Sequence, residues 1–427
     1  MLPRPRKFVF LTLGTKGDLF PFLGIAKELK RRGHPVHVIT SQDHCGLCDQ
    51  EGVSNEWIQS EVEHKAILAH PDIWKPFLGL KIYLSRTVIG TAERAYRAIE
   101  KQSLDADCVL VSNNIMVGGI LAHEKLGLPM ASLFLHPFSH VSMVDPAKDT
   151  PLKNFILMII GPAARKRLVG KYRRQLNACL LPINELRKKL KLEPIDDVID
   201  KWRHSVPLIF DVWPEWFCPA KADWPFQAER TGFIEYDGPG SHEADWAQKL
   251  GIVDFLDRKP IVFTMGSGMT QDFEDQLSLF QETCRILGKP GLWVTASIKG
   301  QGSKIIDDNF RVIEGAPFLE LFEKASIVLT HGGVGTVARA LAAGKPIFVA
   351  ALAFDQFDNG YQIQRLGVGL TSPFKSLTPK KLARSLSELD GNGKYRLAGQ
   401  LISQKMKDED GLKTICDRLE SIRGLNS

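Results

Sequence analysis

Short continuous apolar runs alternate with helical apolar stripes along most of the chain. Phe8 to Leu13 is such a run, consistent with a strand buried on both faces. It stops at Gly14. Pro21 can open a helix, since an N1 proline lacks only a donor that would be orphaned there anyway. The following FLGIAKELKRRG places Phe22, Ile25, Ala26 and Leu29 on one face, and HPVHVIT reads as a second strand. This β-loop-α-β order puts the GTKGD loop at the carboxyl end of a parallel strand, where open α/β sheets bind ligands. DCVLVS (107–112) and PMASLFL (129–135) are further strands, flanked by the helix GGILAHEKLG, which closes at Gly127. From about 150 to 205 the pattern turns helical and basic. An aromatic, proline-rich passage from Asp211 reads as irregular chain, and YDGPGSH is its best linker. A second alternating unit then begins. PIVFTMGSG is a strand and glycine loop, DFEDQLSLFQETCRILG a helix, and GLWVTAS, FRVIEG, SIVLTHGG and KPIFVAAL are strands. The predicted fold is α/β: two Rossmann-like doubly wound domains facing across a cleft, the default place for a ligand.

Composition narrows the class. The chain has 427 residues, enough for two domains, and is 44% hydrophobic and 24% charged, as in soluble globular proteins. A net charge of +6 is mild for this length, and no helix-turn-helix, zinc-finger or RNA-reading signature accompanies it, so no nucleic-acid partner is expected. MLPRPRKFVF runs straight into the first strand and leaves no room for a signal peptide, and no apolar run approaches the ~20 residues of a membrane span. Seven irregularly spaced cysteines point to reduced thiols and a cytoplasmic location. Cys45 and Cys48 form a CxxC after a strand, the setting of a redox pair. The doubly wound pattern around them favours an ordinary helix leading to a turn at Gly52. A zinc site is disfavoured because no second CxxC or HxxxH lies at a matching spacing.

Two constellations carry chemistry. In the first loop, Gly14 and Gly17 make GxxG rather than GxGxxG, and the second strand ends in Thr40, Ser41 and Gln42 without an acid to hold a ribose. Asp18 therefore serves something other than a dinucleotide. In the second half, a buried strand ends at His331, followed by Gly332, Gly333, Val334, Gly335 and Thr336, the last starting a helix of small residues. Unpaired amides and the helix macrodipole make this a phosphate site, with His331 able to donate to an oxygen. No Lys-Ser/Thr pair follows, so it is not a Walker A loop. Asp355 and Gln356, in FDQFDN after another strand, could fix polyol hydroxyls.

The HGGxGT…DQxDN string resembles the donor-sugar site of the family 1 nucleotide-sugar glycosyltransferases of GT-B fold, and GTKGDLFP resembles their N-terminal catalytic loop. The resemblance covers nearly the whole chain. Within the family it is closest to the catalytic subunits of the bacterial rhamnosyltransferases that build rhamnolipids, through GDLFPFLGIAKELKRRGH, AHEKLGLP, WPEWFCPAKADWP…TGF and LAAGKPIFVAALAFDQFDN. The resemblance implies that Asp18, where many relatives carry histidine, is the general base of an inverting transfer. A carboxylate of ordinary pKa, ~3.9, is a weak base for an alcohol, and works because proton transfer is concerted with attack. It further implies that His331 and the amides from Gly332 to Thr336 stabilise the leaving diphosphate without a metal or any cofactor. Ser267 and Gly268 would contact the diphosphate, Ala316, Pro317 and Phe318 would line the base pocket, and Asp355 and Gln356 would bind the sugar. His136, in FLHPFSH, is the candidate to orient Asp18 or meet the acceptor.

The expected layout is an acceptor-binding domain over 1–235, a linker over 236–250 and a nucleotide-sugar domain over 251–405. A C-terminal helix over 406–427 is expected to pack back towards the N-terminal domain. FILMIIG beside ARKRLVGKYRR reads either as an amphipathic helix or as a greasy acceptor entrance with a peripheral membrane contact, in which Phe155 and Ile159 would meet the acceptor. The expected donor is of dTDP-rhamnose or UDP-glucose type and the acceptor a hydroxy-fatty-acyl lipid. The alternatives are a sterol, polyketide or other alcohol as acceptor, or a non-catalytic nucleotide-sugar-binding protein. An epimerase of this architecture is disfavoured, because GTKGD with DQxDN suits transfer better.

Overall fold

The computed structural model describes residues 5–422 apart from 76, 105–106, 149–155, 157–158, 241–244, 267–272, 299 and 301. The chain divides into two compact units, Met1–Gly238 with Asp410–Ser427, and Pro239–Glu409.

In the first unit the strands are β1 (Lys7–Leu11), β2 (Val36–Ser41), β3 (Ser54–Gln59), β4 (Cys108–Asn113), β5 (Met130–Phe134), β6 (Leu208–Asp211) and β7 (Ala228–Arg230). They form one parallel sheet in the order β3-β2-β1-β4-β5-β6-β7. Phe10 of β1 stands beside Val38 on one side and Val111 on the other. Phe8, Val9, Phe10 and Leu11 are all buried, which is why β1 is apolar at each of these four positions rather than at alternate ones. The first helix, Lys16–Arg31, covers the sheet with Leu19, Phe22, Leu23, Ala26 and Leu29. The strand order reverses at β1, between β2 and β4, so the loop after β1 lies at a topological switch point.

The second unit repeats the plan. Its strands are β8 (Ile261–Thr264), β9 (Gly291–Val294), β10 (Ser303–Asp307), β11 (Phe310–Ile313), β12 (Ile327–Thr330), β13 (Ile347–Ala351) and β14 (Gly369–Pro373), in the order β10-β11-β9-β8-β12-β13-β14. Only β10, antiparallel to β11, departs from a parallel sheet. Phe263, Phe280, Trp293 and Phe310 form its aromatic core, with Phe263 stacked on Phe280 at 4.5 Å. The switch point falls between β8 and β12, so His331 leaves the sheet there.

Three local expectations are corrected. The first helix begins at Lys16, not at Pro21, because Thr15 and Asp18 close a capping box ahead of it. Pro21 thus lies inside the helix, and the carbonyl it leaves without a partner belongs to Gly17, exposed in the first turn and open to water. The helix after His331 begins at Val334, two residues before Thr336, with Gly333 as its N-cap. The aromatic, proline-rich passage is not wholly irregular: the three-residue edge strand β7 lies within it, and the four-residue β6 ends at its first residue.

The C-terminal helix Gly411–Ser421 packs on the first helix, sinking Ile415, Cys416 and Leu419 into the same core as β1. Arg32 reaches from the end of the first helix to Asp417 at 2.6 Å and Glu420 at 2.8 Å. Burial carries most of this contact, since partly exposed ion pairs contribute little. Leu419→Ala should lower unfolding stability by about 2–5 kcal/mol in denaturant titration, while Arg32→Ala should cost about 1 kcal/mol or less. An equal effect of the two would mean that the charges, not the core, hold this helix.

Candidate functional site

In the first unit, Asp18 occupies the third position of its helix, and Oδ2 accepts hydrogen bonds from Thr15 N at 2.8 Å and Thr15 Oγ1 at 3.1 Å. Gly14 explains the glycine that opens the motif. It has φ +130°, and a Cβ there would lie 2.3 Å from Asp18 Oδ2. The carboxylate lies over bare backbone at the end of β1. Tyr83, in the π-helical stretch Tyr83–Ile89, donates to the Leu13 carbonyl at 3.2 Å. Its phenol is pushed well up by burial and by the Asp18 charge. Tyr83 escaped sequence reasoning, since nothing local ties it to a loop 70 residues away.

His136 Nδ1 meets Ser139 Oγ at 3.1 Å. Near it lies a pair that sequence reasoning passed over. His140 Nε2, in the loop after β5, is 2.7 Å from Oδ1 of Asp211 at the end of β6; both are buried, and His140 stacks on Phe134. Burial pushes the Asp211 carboxyl up, against the opposing charge of Arg230 at 3.5 Å, and the His140 imidazole well down. Phe155 lies outside the described residues. Ile156 and Ile159 are exposed, next to the helix Pro162–Leu180, which carries Arg165, Lys166, Arg167, Lys171, Arg173 and Arg174 and no acidic residue. Cys45 and Cys48 are free, and burial raises both thiols, Cys48 to about 12, the opposite of a reactive pair.

In the second unit, the His331 ring lies between two glycines: a Cβ on Gly266 would fall 2.6 Å from its Cε1, and one on Gly333 2.6 Å from its Nε2. Burial lowers its pKa to about 4, with Asp355 opposing, so the ring is neutral near pH 7. One of its two tautomers makes the ring a donor towards the helix that follows. Thr330 Oγ1 accepts from Gly332 N at 3.2 Å and lies 3.4 Å from His331 Nδ1. That hydroxyl can give its own proton to Nδ1, which leaves the ring proton on Nε2, beside the N-terminus of the helix Val334–Ala342. An N–H and a helix N-terminus thus converge, an arrangement suited to an anion.

Asp355 caps the helix Gln356–Arg365. Asn359, one turn on, donates from Nδ2 to Asp355 Oδ2 at 2.7 Å and to the Gly332 carbonyl at 2.8 Å. Asn359 stands in the DQFDN string, and its i,i+4 spacing from Asp355 was the signal that could have marked it. The Gln356 oxygen is spent on the backbone of Leu352 and Ala353, at 2.8 and 3.1 Å, so only its Nε2 can face a ligand. Pro317 caps the helix Phe318–Lys324, where Phe318 stacks on Phe322 at 5.0 Å. Ser267 and Gly268 lie outside the described residues. Among the described residues no three His, Cys, Asp or Glu converge as a metal-ligating group.

The depressed His331 value has a consequence for stability. Between pH 6.5 and about 4 the unfolded chain binds a proton at this position that the folded chain does not. The contribution is therefore present above pH 6.5 and lost as pH falls towards about 4. Thermal unfolding of His331→Gln should show a smaller fall in Tm between about pH 7 and 4.5 than the unaltered protein; parallel curves would contradict the assigned burial.

Residues 8–142 match the glycosyltransferase family 28 N-terminal domain, and residues 291–422 match the C-terminal domain of erythromycin biosynthesis protein CIII-like proteins. A sterol 3-beta-glucosyltransferase of Debaryomyces hansenii is 22% identical over 98% of this chain and 27% of its own length. The chain spans about a quarter of the length of the first curated relatives it matches. Among solved structures, the glycotransferase of kitacinnamycin superposes with a TM-score of 0.72 at 17% identity, covering 98% of this chain and 99% of that one. The spinosyn rhamnosyltransferase SpnG, complexed with thymidine diphosphate, has a TM-score of 0.66 at 16% identity, covering 97% and 100%. The chain's two Rossmann-like sheets superpose on those structures over nearly its whole length, which gives it the GT-B fold, and each half matches a domain model found in glycosyltransferases.

Proposed function

We propose that this protein is an inverting, metal-independent glycosyltransferase. It moves a hexose or deoxyhexose from a nucleotide diphosphate sugar, of dTDP-rhamnose or UDP-glucose type, to a hydroxyl of a hydrophobic acceptor. The observation that carries the reading is the second switch point, where a neutral His331 N–H and a helix N-terminus meet within one hydrogen-bonded network that includes Asp355. Those are donors for a diphosphate beside an acceptor for sugar hydroxyls.

In this reading Asp18 takes the proton from the acceptor hydroxyl as its oxygen attacks the anomeric carbon. The bond from that carbon to the diphosphate oxygen breaks on the opposite face. The charge left on the nucleoside diphosphate is met by His331 Nε2–H and by the amides at Gly333 to Thr336, in the role a cation fills elsewhere. The thymidine diphosphate held by SpnG is consistent with such a donor site.

Asp18 has two tasks, base and helix cap, and they can be separated. An asparagine still accepts from Thr15 N but cannot take a proton. Asp18→Asn should therefore cut kcat by roughly 10²–10⁴ with nucleotide-sugar affinity and Tm nearly unchanged. Asp18→Ala should lose about 0.5–2 kcal/mol of stability as well. Wild-type turnover by the asparagine variant would remove Asp18 from the mechanism.

We assign the acceptor as a hydroxy-fatty-acyl lipid, met through the exposed Ile156 and Ile159 beside a helix whose cations suit an anionic membrane surface. In this assignment the enzyme is cytoplasmic and works at the inner face of the membrane. Among the described residues no helix is long and apolar enough to cross one. The sterol glucosyltransferase match favours a second reading, a sterol alcohol. Ile159→Asp should raise the KM for long-chain hydroxy-acyl acceptors and leave donor hydrolysis unchanged. Wild-type KM should fall by roughly tenfold per added carbon pair, at ~0.8 kcal/mol per methylene withdrawn from water. A flat chain-length profile with turnover of sterols would favour the second reading.

A further inference from the structure

We propose that Asn359 is the positioning residue of the donor site, which registers the sugar-binding carboxylate against the diphosphate loop. This rests on the donor-site reading above and deepens it.

Both protons of the Asn359 amide nitrogen are committed, one to the Gly332 carbonyl at 2.8 Å and one to Asp355 Oδ2 at 2.7 Å. The residue is fully buried, so neither bond competes with water. Its Oδ1 is buried with no partner among the described residues, and the side chain is held by these two bonds and its packing.

The bond to Gly332 reaches further than one carbonyl. In a trans peptide the C=O of one residue and the N–H of the next point in opposite directions. Drawing the Gly332 carbonyl inward to Asn359 therefore turns the Gly333 N–H outward, at the N-cap of the helix Val334–Ala342. Gly332 has φ +97°, and a Cβ there would fall 2.6 Å from Val349 Cγ1 and 3.1 Å from the Gln356 carbonyl. The loop thus rests directly on the first turn of the helix that carries Asp355, and Asn359 ties the two together. One amide sets both the direction of a diphosphate donor and the rotamer of the sugar acceptor. Serine is too short to serve both partners, and aspartate would place a second carboxylate against Asp355.

The test is a double-mutant cycle on the full-length protein, read by calorimetric titration with UDP, UDP-glucose, dTDP and dTDP-glucose. The readout is the ratio of nucleotide-sugar affinity to nucleoside diphosphate affinity, a quantity that general loosening of the fold would not move. Asn359→Ala should lower that ratio about tenfold, and in an Asp355→Ala background the same change should move it less than about twofold. Should Asn359→Ala fail to fold, Asn359→Ser in the same cycle should give a shift of the same sign. An unchanged ratio in Asn359→Ala, or an equal shift in both backgrounds, would overturn the proposal. Wild type that binds the diphosphates and the sugars equally would remove Asp355 from the site, and the proposal with it. Failure of wild type to bind any of the four would instead overturn the donor-site reading itself.

Discussion

The two side chains proposed to act on the reacting groups, Asp18 and His331, sit where backbone and side chain approach closer than a Cβ would allow. The Asp18 carboxylate lies over Gly14, and the His331 ring lies between Gly266 and Gly333. Parallel sheets create the need. Each strand must end, turn and feed a helix whose first amides have no partner, and at a switch point two such turns lie side by side. Glycine lets the turn be tight enough for a reactive side chain to lie against the exposed backbone rather than over solvent.

Burial then decides the charge of each group. His331 is kept neutral, so it serves as an N–H donor rather than a cation, and the helix terminus beside it supplies the positive potential. The same effect lowers His140, raises Asp211 and makes Cys48 inert. Asp18 differs in kind. It is partly exposed and charge-assisted bonds from Thr15 orient it, so the carboxylate is positioned by its helix rather than hidden from water.

The two units use one plan with different chemistry at the first turn after the sheet. The first presents an acceptor of protons, the second presents donors to anions. The core beneath each is built mainly of aromatic and aliphatic side chains, so the loops above can vary without disturbing the sheet.

The sequence by itself determined the alternation of strand and helix, the two doubly wound halves and the glycine-flanked positions of Asp18 and His331. These are legible because burial on both faces writes continuous apolar runs, and because turns and helix starts draw on few residue types. It misjudged Pro21, since the four-residue capping box Thr15–Asp18 outweighs a proline preference, and it missed β6 and β7, too short to show a period. Only the tertiary structure decided that the Gln356 oxygen serves its own backbone, that His136 pairs with Ser139, and that Asn359 joins Asp355 to Gly332. Those are hydrogen bonds between groups as far as 27 residues apart, or choices among several partners within reach, and no local pattern encodes which of them a folded chain will make.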